Sequence, residues 1–166
     1  MEKITGIKKI ISDTLLKIGM HSHEAVDLIY RVGMAESAYK HITSPANGNP
    51  AISFWQVEPD TAKDILDHFV QFRPLLIEKL KTVGFRWEQR ADKLELEFQM
   101  RTNMAFAIAL CRMKFWRDPA PLPKVGDIMG QAKYWKRIYN SEKGRGTVEH
   151  FCSMNGYRPE EKKEKE

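Results

Sequence analysis

Apolar residues along most of this chain recur every three or four positions, which is the spacing of a helix with one buried face. The pattern predicts a first helix over about residues 4–18, ended by Gly19. It predicts a second helix that Ser22 caps and that runs to about Tyr39. Glu36 therefore lies near the end of the second predicted helix.

Later helices follow the same signals. Pro59 and Pro74 each stand where proline opens a helix, and each is followed by apolar residues at helical spacing. Over about residues 101–116 the apolar side chains occupy all sides of the predicted helix, which indicates a buried central helix. Two further helices are predicted over about residues 128–139 and 147–154.

The segment after the second helix is rich in turn-forming residues. Residues 41–53 include the run Ser-Pro-Ala-Asn-Gly-Asn-Pro, which predicts a loop or at most a minimal hairpin. No strand pattern of any length occurs. We expect an all-α (mainly α) fold, with one domain over residues 1–157 and a charged, disordered tail over residues 158–166.

The distribution of charge narrows the choice of partners. The chain carries a net charge of +5, and residues 112–145 hold nine Lys or Arg against three Asp or Glu. Such a segment favours anionic partners, of which nucleic acid, acidic membranes and the bacterial cell wall are examples.

Cysteine usage and apolar runs exclude other classes. Cys111 and Cys152 lie in apolar stretches, so we expect buried free thiols rather than a disulfide or a metal site. His21 and His23 lack further ligands at zinc-binding spacing. The longest apolar run, 104–111, is far shorter than the ~20 residues that span a bilayer, so we expect a soluble protein.

Glu36 is the candidate catalytic residue. Cleavage of a glycosidic bond needs an acid for the leaving oxygen, and a poorly hydrated carboxyl group stays protonated near neutral pH. Glu36 follows the apolar-rich run Val32-Gly-Met-Ala and precedes the polar loop. Its position alone would favour an ordinary exposed Glu, because most glutamates lie on the surface.

Short motifs around Glu36 change that interpretation. In chain order they are Ala35-Glu36-Ser37, Ser44 with Gly48, Ser53-Phe-Trp-Gln56, Pro59-Asp-Thr-Ala62, Asn103-Met-Ala-Phe-Ala107, and Ile138-Tyr-Asn140 followed by Gly144 and Gly146. This order resembles family 23 lytic transglycosylases and goose-type lysozymes over about residues 25–150, and it also resembles phage-encoded lysins.

The resemblance implies a lysozyme-like helical domain that cuts the β-1,4 bond between N-acetylmuramic acid and N-acetylglucosamine in peptidoglycan. It makes Glu36 the general acid and base, and Ser37 a structural residue. His41 is a candidate cleft residue because it lies in the loop beside Glu36. The resemblance places substrate contacts at Ser53, Trp55, Gln56, Tyr139 and Asn140. We expect a monomer whose partner is the glycan strand, with no cofactor and no metal.

Glu58 bears on the reaction type. Goose-type lysozymes carry an Asp two residues after the matching Gln, and that Asp helps to position water. An inverting hydrolase needs such a second carboxylate roughly 6.5–9.5 Å from the acid. A transglycosylase needs none, because the muramic acid C6 hydroxyl attacks and gives a 1,6-anhydro product. Glu58 is therefore a candidate second carboxylate, but just before Pro59 it also suits a helix start.

The chain departs from the family pattern at one edge of the expected cleft. Ser53 stands where the family has Gly, and Phe54-Trp55 replaces Leu-Met. These larger residues predict a bulkier edge.

A different class of function stays open. A non-catalytic helical protein could bind nucleic acid or a virion component through basic residues Lys133, Lys136, Arg137, Lys143 and Arg145. Under the preferred hypothesis of an enzyme we expect no nucleic-acid partner. The N-terminal residues lack the apolar core of a signal peptide, so we expect a lysin made in the cytoplasm. It would reach the wall by assisted release or with a virion.

Overall fold

The computed structural model describes residues 6–44, 48–140 and 144–159. Over these residues the chain forms eight α-helices and no extended strand, which confirms the all-α prediction. Most of the predicted tail, 158–166, lies outside the described residues. The helices are α1 Ile7–Ile18, α2 His23–Ser37, α3 Pro59–His68, α4 Pro74–Thr82, α5 Lys93–Thr102, α6 Met104–Trp116, α7 Ile128–Trp135 and α8 Val148–Met154.

The start and end of α2 set the position of Glu36. The Ser22 Oγ accepts a hydrogen bond from the Ala25 backbone N–H at 3.0 Å, as the capping signal predicts. The helix ends at Ser37, slightly earlier than predicted, because Ala38 and Tyr39 adopt left-handed backbone angles with φ of 51° and 56°. Glu36 thus occupies the last turn of α2, as predicted.

Helix α6 forms the centre of the core. Most of its side chains are buried, and it packs against α1, α2, α3 and α5. It begins at Met104 rather than near residue 101, because the Asn103 Oδ1 caps it by accepting from the Phe106 N–H at 3.0 Å.

Helix α5 was not predicted from the sequence. Its buried residues are Leu96 and Met100, whereas Leu94 and Phe98 are largely exposed. Apolar residues therefore occupy two sides of α5, which hides the single apolar face that helix prediction looks for.

The segment between α2 and α3 contains a minimal hairpin. Isolated antiparallel bridges join Thr43 to Ile52 and Ile52 to Val57. The tight turn within the second bridge uses positive φ angles at Ser53 (75°) and Gln56 (49°). This agrees with the prediction of a loop or minimal hairpin.

The helix predicted over residues 128–139 is not uniform. Helix α7 passes directly into a π-helical turn, Lys136–Asn140, which is wider than an α-helical turn. Inserted π turns are frequent at functional sites. This one places Tyr139 in the core, where its ring stacks on Phe115 at 5.1 Å between centroids.

Cys111 and Cys152 are both free and buried, as predicted. None of the described helices has the length and apolar character needed to cross a bilayer.

Asp27 ties α2 to the segment that leads into α7. This buried carboxylate accepts hydrogen bonds from the Gly126 N–H at 2.9 Å, from the Gln131 Nε2 at 2.8 Å and from the Arg31 Nε at 3.3 Å. Burial by itself would raise the pKa of Asp27, but these hydrogen bonds and the Arg31 charge hold it below its usual value.

Replacement of Asp27 by Ala is expected to lower the free energy of unfolding at pH 7 by about 2–3 kcal/mol, because buried donors lose a charged acceptor. The lowered pKa means that this stabilisation is present at neutral pH and is lost in acid, so the difference should shrink below pH 3.8. Urea denaturation of the wild type and the variant, at pH 7 and below pH 3.8, measures this difference in the free energy of unfolding.

Asp13→Ala is the matched control, since Asp13 is exposed and its pair with Lys9 spans 3.1 Å on the surface of α1. We expect a change of less than about 0.5 kcal/mol. Equal losses in the two variants would contradict the role assigned to Asp27.

Candidate active site

A cleft of about 920 Å³ opens beside the end of α2. Its lining comes from α2, the following hairpin, the start of α3, one residue of α6 and the segment after α7. Six of the eight predicted site residues line it together: Glu36, His41, Gln56, Glu58, Tyr139 and Asn140. The tertiary structure therefore brings together residues more than a hundred positions apart in sequence.

The two carboxyl oxygens of Glu36 have different surroundings. Oε1 accepts a hydrogen bond from the Trp135 indole Nε1 at 2.9 Å. Trp135 is only 1% exposed and packs on Phe151, so this donor is held rigidly. Oε2 has no hydrogen-bond partner among the described residues, and it is not sealed off from the cleft. One oxygen is thus fixed and the other is open to a ligand.

The environment of Glu36 keeps it protonated at unusually high pH. Burial raises the pKa of Glu36 to about 7, although the Trp135 hydrogen bond and the charges of Lys114 and His150 act in the opposite direction. The negative end of the α2 dipole also disfavours a carboxylate there. Near pH 7 this group can both donate and accept a proton, which suits general acid and base catalysis.

Further contacts hold the end of α2 in place. The His150 Nε2 donates to the Ala35 carbonyl oxygen at 2.8 Å, which satisfies a carbonyl of the last helical turn. The buried Ser37 Oγ donates to the Gly33 carbonyl oxygen at 3.2 Å and accepts from the Tyr39 N–H at 3.1 Å. Ser37 is therefore structural, in line with the expectation.

Two predicted substrate contacts are wrong. Trp55 is 0% exposed, and its Nε1 donates to the Ile29 carbonyl oxygen at 2.9 Å, so its ring cannot stack on a sugar. Ser53 is 5% exposed, and its Oγ accepts from the Trp55 N–H at 3.2 Å. The hairpin turns the indole inward, where burial of a large apolar ring is favourable. Both residues anchor the wall of the cleft to α2.

Gln56 and His41 do line the cleft, but with fewer free groups than expected. The Gln56 Nε2 donates to the carbonyl oxygens of Ser53 at 2.7 Å and Ile42 at 3.3 Å, so only its Oε1 is left for a ligand. The His41 Nδ1 is buried and has no partner among the described residues. Gln56 therefore braces the hairpin as well as facing the cleft.

Tyr139 and Asn140 bring the π turn to the cleft. The Tyr139 hydroxyl donates to the Trp55 carbonyl oxygen at 2.5 Å, which joins the π turn to the hairpin. Because its side chain is only 5% exposed, Tyr139 forms part of the wall of the cleft and does not offer the substrate contact that was predicted. The Asn140 Oδ1 accepts from the Lys136 Nζ at 2.9 Å. Glycine is required at position 144, since a side chain there would overlap the Asn140 backbone.

Glu58 is exposed to the cleft at the N-cap position of α3. Its side chain makes no capping hydrogen bond, so any support for α3 comes from its charge near the helix dipole. Its role as a second carboxylate stays a prediction.

Three residues around Glu36 were missed in the sequence: Lys114, Trp135 and His150. Lys114 gave a signal, because it is one of two charged residues, with Arg112, in a helix whose other residues are apolar. Trp135 lies in the helix predicted over residues 128–139, but the sequence does not indicate which acceptor its indole N–H meets. Nothing near His150 in the sequence indicates that it reaches α2.

Trp135→Phe is expected to raise the pKa of Glu36 above its present value of about 7, because the hydrogen bond that favours the carboxylate is removed. Titration of the Glu36 carboxyl carbon by NMR measures the shift directly.

Trp55→Phe is the matched control. It also removes a fully buried indole and an N–H donor, but its acceptor is the Ile29 carbonyl oxygen. The control should lose stability without a change in the Glu36 pKa. An unchanged pKa in Trp135→Phe would contradict the geometry described above.

Comparison of the chain with models of protein families, with curated proteins and with solved structures finds no match. The resemblance drawn from the motifs around Glu36 therefore stays a prediction.

Proposed function

We propose that this protein is a peptidoglycan glycosidase that cleaves the β-1,4 bond between N-acetylmuramic acid and N-acetylglucosamine, with Glu36 as general acid and base. The observation that carries the proposal is the state of Glu36. One of its oxygens is held by Trp135, the other is open to a cleft, and burial raises its pKa to about 7. The motif order selects the same residue independently.

Both candidate reactions begin with the same step at Glu36. Glu36 Oε2 gives its proton to the glycosidic oxygen, and the electron pair of the breaking C1–O bond goes to that oxygen. With the muramic acid C6 hydroxyl as nucleophile, the Glu36 carboxylate then takes the proton of that hydroxyl, and the product is the 1,6-anhydro sugar. With water as nucleophile the reaction is hydrolysis, and in an inverting enzyme Glu58 would take the proton of the water.

The rest of the cleft suits a polar, uncharged polymer backbone. Its volume of about 920 Å³ lies at the upper end of the range for ligand pockets, about 300–1,000 Å³. Gln56 Oε1 and the side chain of Asn140 offer polar atoms for sugar hydroxyl and acetamido groups. Exposed Arg145 adds a positive charge beside the cleft, where the substrate carries peptide carboxylates.

The proposal extends to the type of fold and the kind of enzyme. From the motif order alone, the protein is proposed to have a lysozyme-like helical domain and to be a phage-type lysin. Such an enzyme meets its substrate in the cell wall, after assisted release from the cytoplasm or as part of a virion. The basic segment 112–145 would help to hold it on an anionic wall.

Glu36→Gln is expected to reduce lysis of purified peptidoglycan by roughly 100- to 10,000-fold, because the amide N–H is far too weakly acidic to protonate the leaving oxygen. The fold should persist. Above pH 7 the variant should even be more stable than the wild type, since the buried wild-type carboxyl is ionised there at a cost of up to ~3 kcal/mol. Turbidity clearing and thermal melting at pH 8 measure both effects, and full activity in this variant would contradict the proposal.

Glu58→Gln is the matched control in the same cleft. Mass spectrometry separates the two reactions, because anhydro products and reducing ends differ by one water. If the wild type releases reducing ends and Glu58→Gln does not, Glu58 is the second carboxylate. If the wild type releases anhydro products, Glu58→Gln should keep most of the activity.

The pH dependence of kcat/KM should follow the protonated form of Glu36. The rate should fall tenfold per pH unit above about pH 7, because only the protonated acid serves the leaving group. Initial rates on a soluble glycan between pH 5 and 9 measure this limb. A rate that rises through this range would be incompatible with Glu36 as the acid.

A further inference from the structure

Lys114 belongs to the central helix α6, and its charged side chain lines the cleft. Its neighbours in the sequence, Met113 and Phe115, are buried in the core, at 0% and 1% exposure. Lys114 lines the same cleft as Glu36 and Glu58. A lysine at the border of a core is costly unless its ammonium group has partners.

The contacts of Lys114 fix its position. The Nζ donates to the Tyr139 carbonyl oxygen at 2.7 Å and lies 4.0 Å from the centre of the Tyr139 ring. Tyr139 belongs to the π turn at the end of α7, and the carbonyl groups at the end of a helix carry partial negative charge. Lys114 thus holds the π turn against α6.

The charge of Lys114 is not neutralised by an ion pair. In the described part of the chain its Nζ forms no salt bridge with a carboxylate. Burial lowers the pKa of Lys114, and the nearby carboxyl groups of Glu36 and Glu58 oppose this shift. The other ionisable groups around it are Cys111 of α6, Arg117 just after the end of α6, and Tyr139 of the π turn.

We propose that Lys114 is a positioning residue of this site: it holds the π turn through the Tyr139 carbonyl oxygen and supplies the positive charge that stabilises Glu36 as a carboxylate. This inference rests on the proposed function. When Glu36 gives its proton to the leaving oxygen, a negative charge forms in a poorly hydrated place. The ammonium group of Lys114 offsets that charge, and the carboxylate is retained until it takes a proton from the nucleophile.

Lys114→Met tests the proposal. Without the ammonium group the pKa of Glu36 should rise by about one unit, as expected for loss of a nearby opposite charge. The upper limb of the pH profile should move by the same amount. The kcat value should fall about tenfold, because the charge is needed after proton transfer, and KM should rise as well, because the π turn loses a brace. Lys114→Arg should restore most of both values.

Lys136→Met is the matched control. Lys136 also braces the π turn, through the Asn140 Oδ1 at 2.9 Å and the Gly144 carbonyl oxygen at 2.7 Å. Unlike Lys114, it is not among the charges that act on Glu36. Its loss should loosen the wall and raise KM without moving the Glu36 pKa. Equal pKa shifts in both variants would show that Lys114 acts only through the structure of the turn.

A measurement on the unmodified chain keeps the test valid if Lys114→Met does not fold. The NMR shifts of the Lys114 Nζ and Cε should show an inflection near pH 7, where Glu36 ionises, and Glu36→Gln should abolish it. Absence of this inflection would overturn the proposal.

The titration needs no substrate, so the two proposals fail in different ways. A chain that shows the inflection but no lysis of peptidoglycan contradicts the proposed function and leaves the coupling intact. A chain that lyses peptidoglycan and shows no inflection contradicts the role of Lys114.

Discussion

The hydrogen bond from the Trp135 indole to Glu36 is the interaction on which the site depends. It joins residues 99 positions apart, and it links the last turn of α2 to α7 in the interior of the protein. Because the indole is almost completely buried, it fixes one carboxyl oxygen and leaves the other to the cleft. A flexible, exposed glutamate at the same helix end would be hydrated and ionised at neutral pH.

The walls of the cleft are fixed by a second set of contacts that meet at Trp55. Its indole donates to α2 through Ile29, and its carbonyl oxygen accepts the hydroxyl of Tyr139 from the π turn. The hairpin, α2 and the π turn are therefore held by one buried residue. Trp55 shapes the site without touching a ligand, which explains why a motif that contains it can be functional although the ring is inaccessible.

The electrostatics of the cleft follow from burial rather than from net charge. The chain is basic overall, yet the group with the most useful pKa is a carboxyl. Removal of water raises the pKa of Glu36, while the Trp135 hydrogen bond and the charges of Lys114 and His150 limit the rise. These opposed effects hold Glu36 near the pH at which it can give and take a proton.

Local signals in the sequence determined most of the helices and several of the residues at which they begin and end. Ser22 and Asn103 cap helices through short side chains that reach backbone N–H groups three residues on. Apolar spacing identified the central helix, and the position of Glu36 near a helix end followed from it. Helix α5 was not predicted, because its apolar residues do not share one face.

Only the tertiary structure decided which side chains reach the cleft. The motif order predicted Ser53 and Trp55 as substrate contacts, but the hairpin buries both. Lys114, Trp135 and His150 were not predicted, and they are brought to Glu36 from distant helices. Helix capping acts over three or four residues and can be read locally. Burial, and with it the pKa of Glu36, depends on which distant segments pack around a side chain, and no short stretch of sequence contains that information.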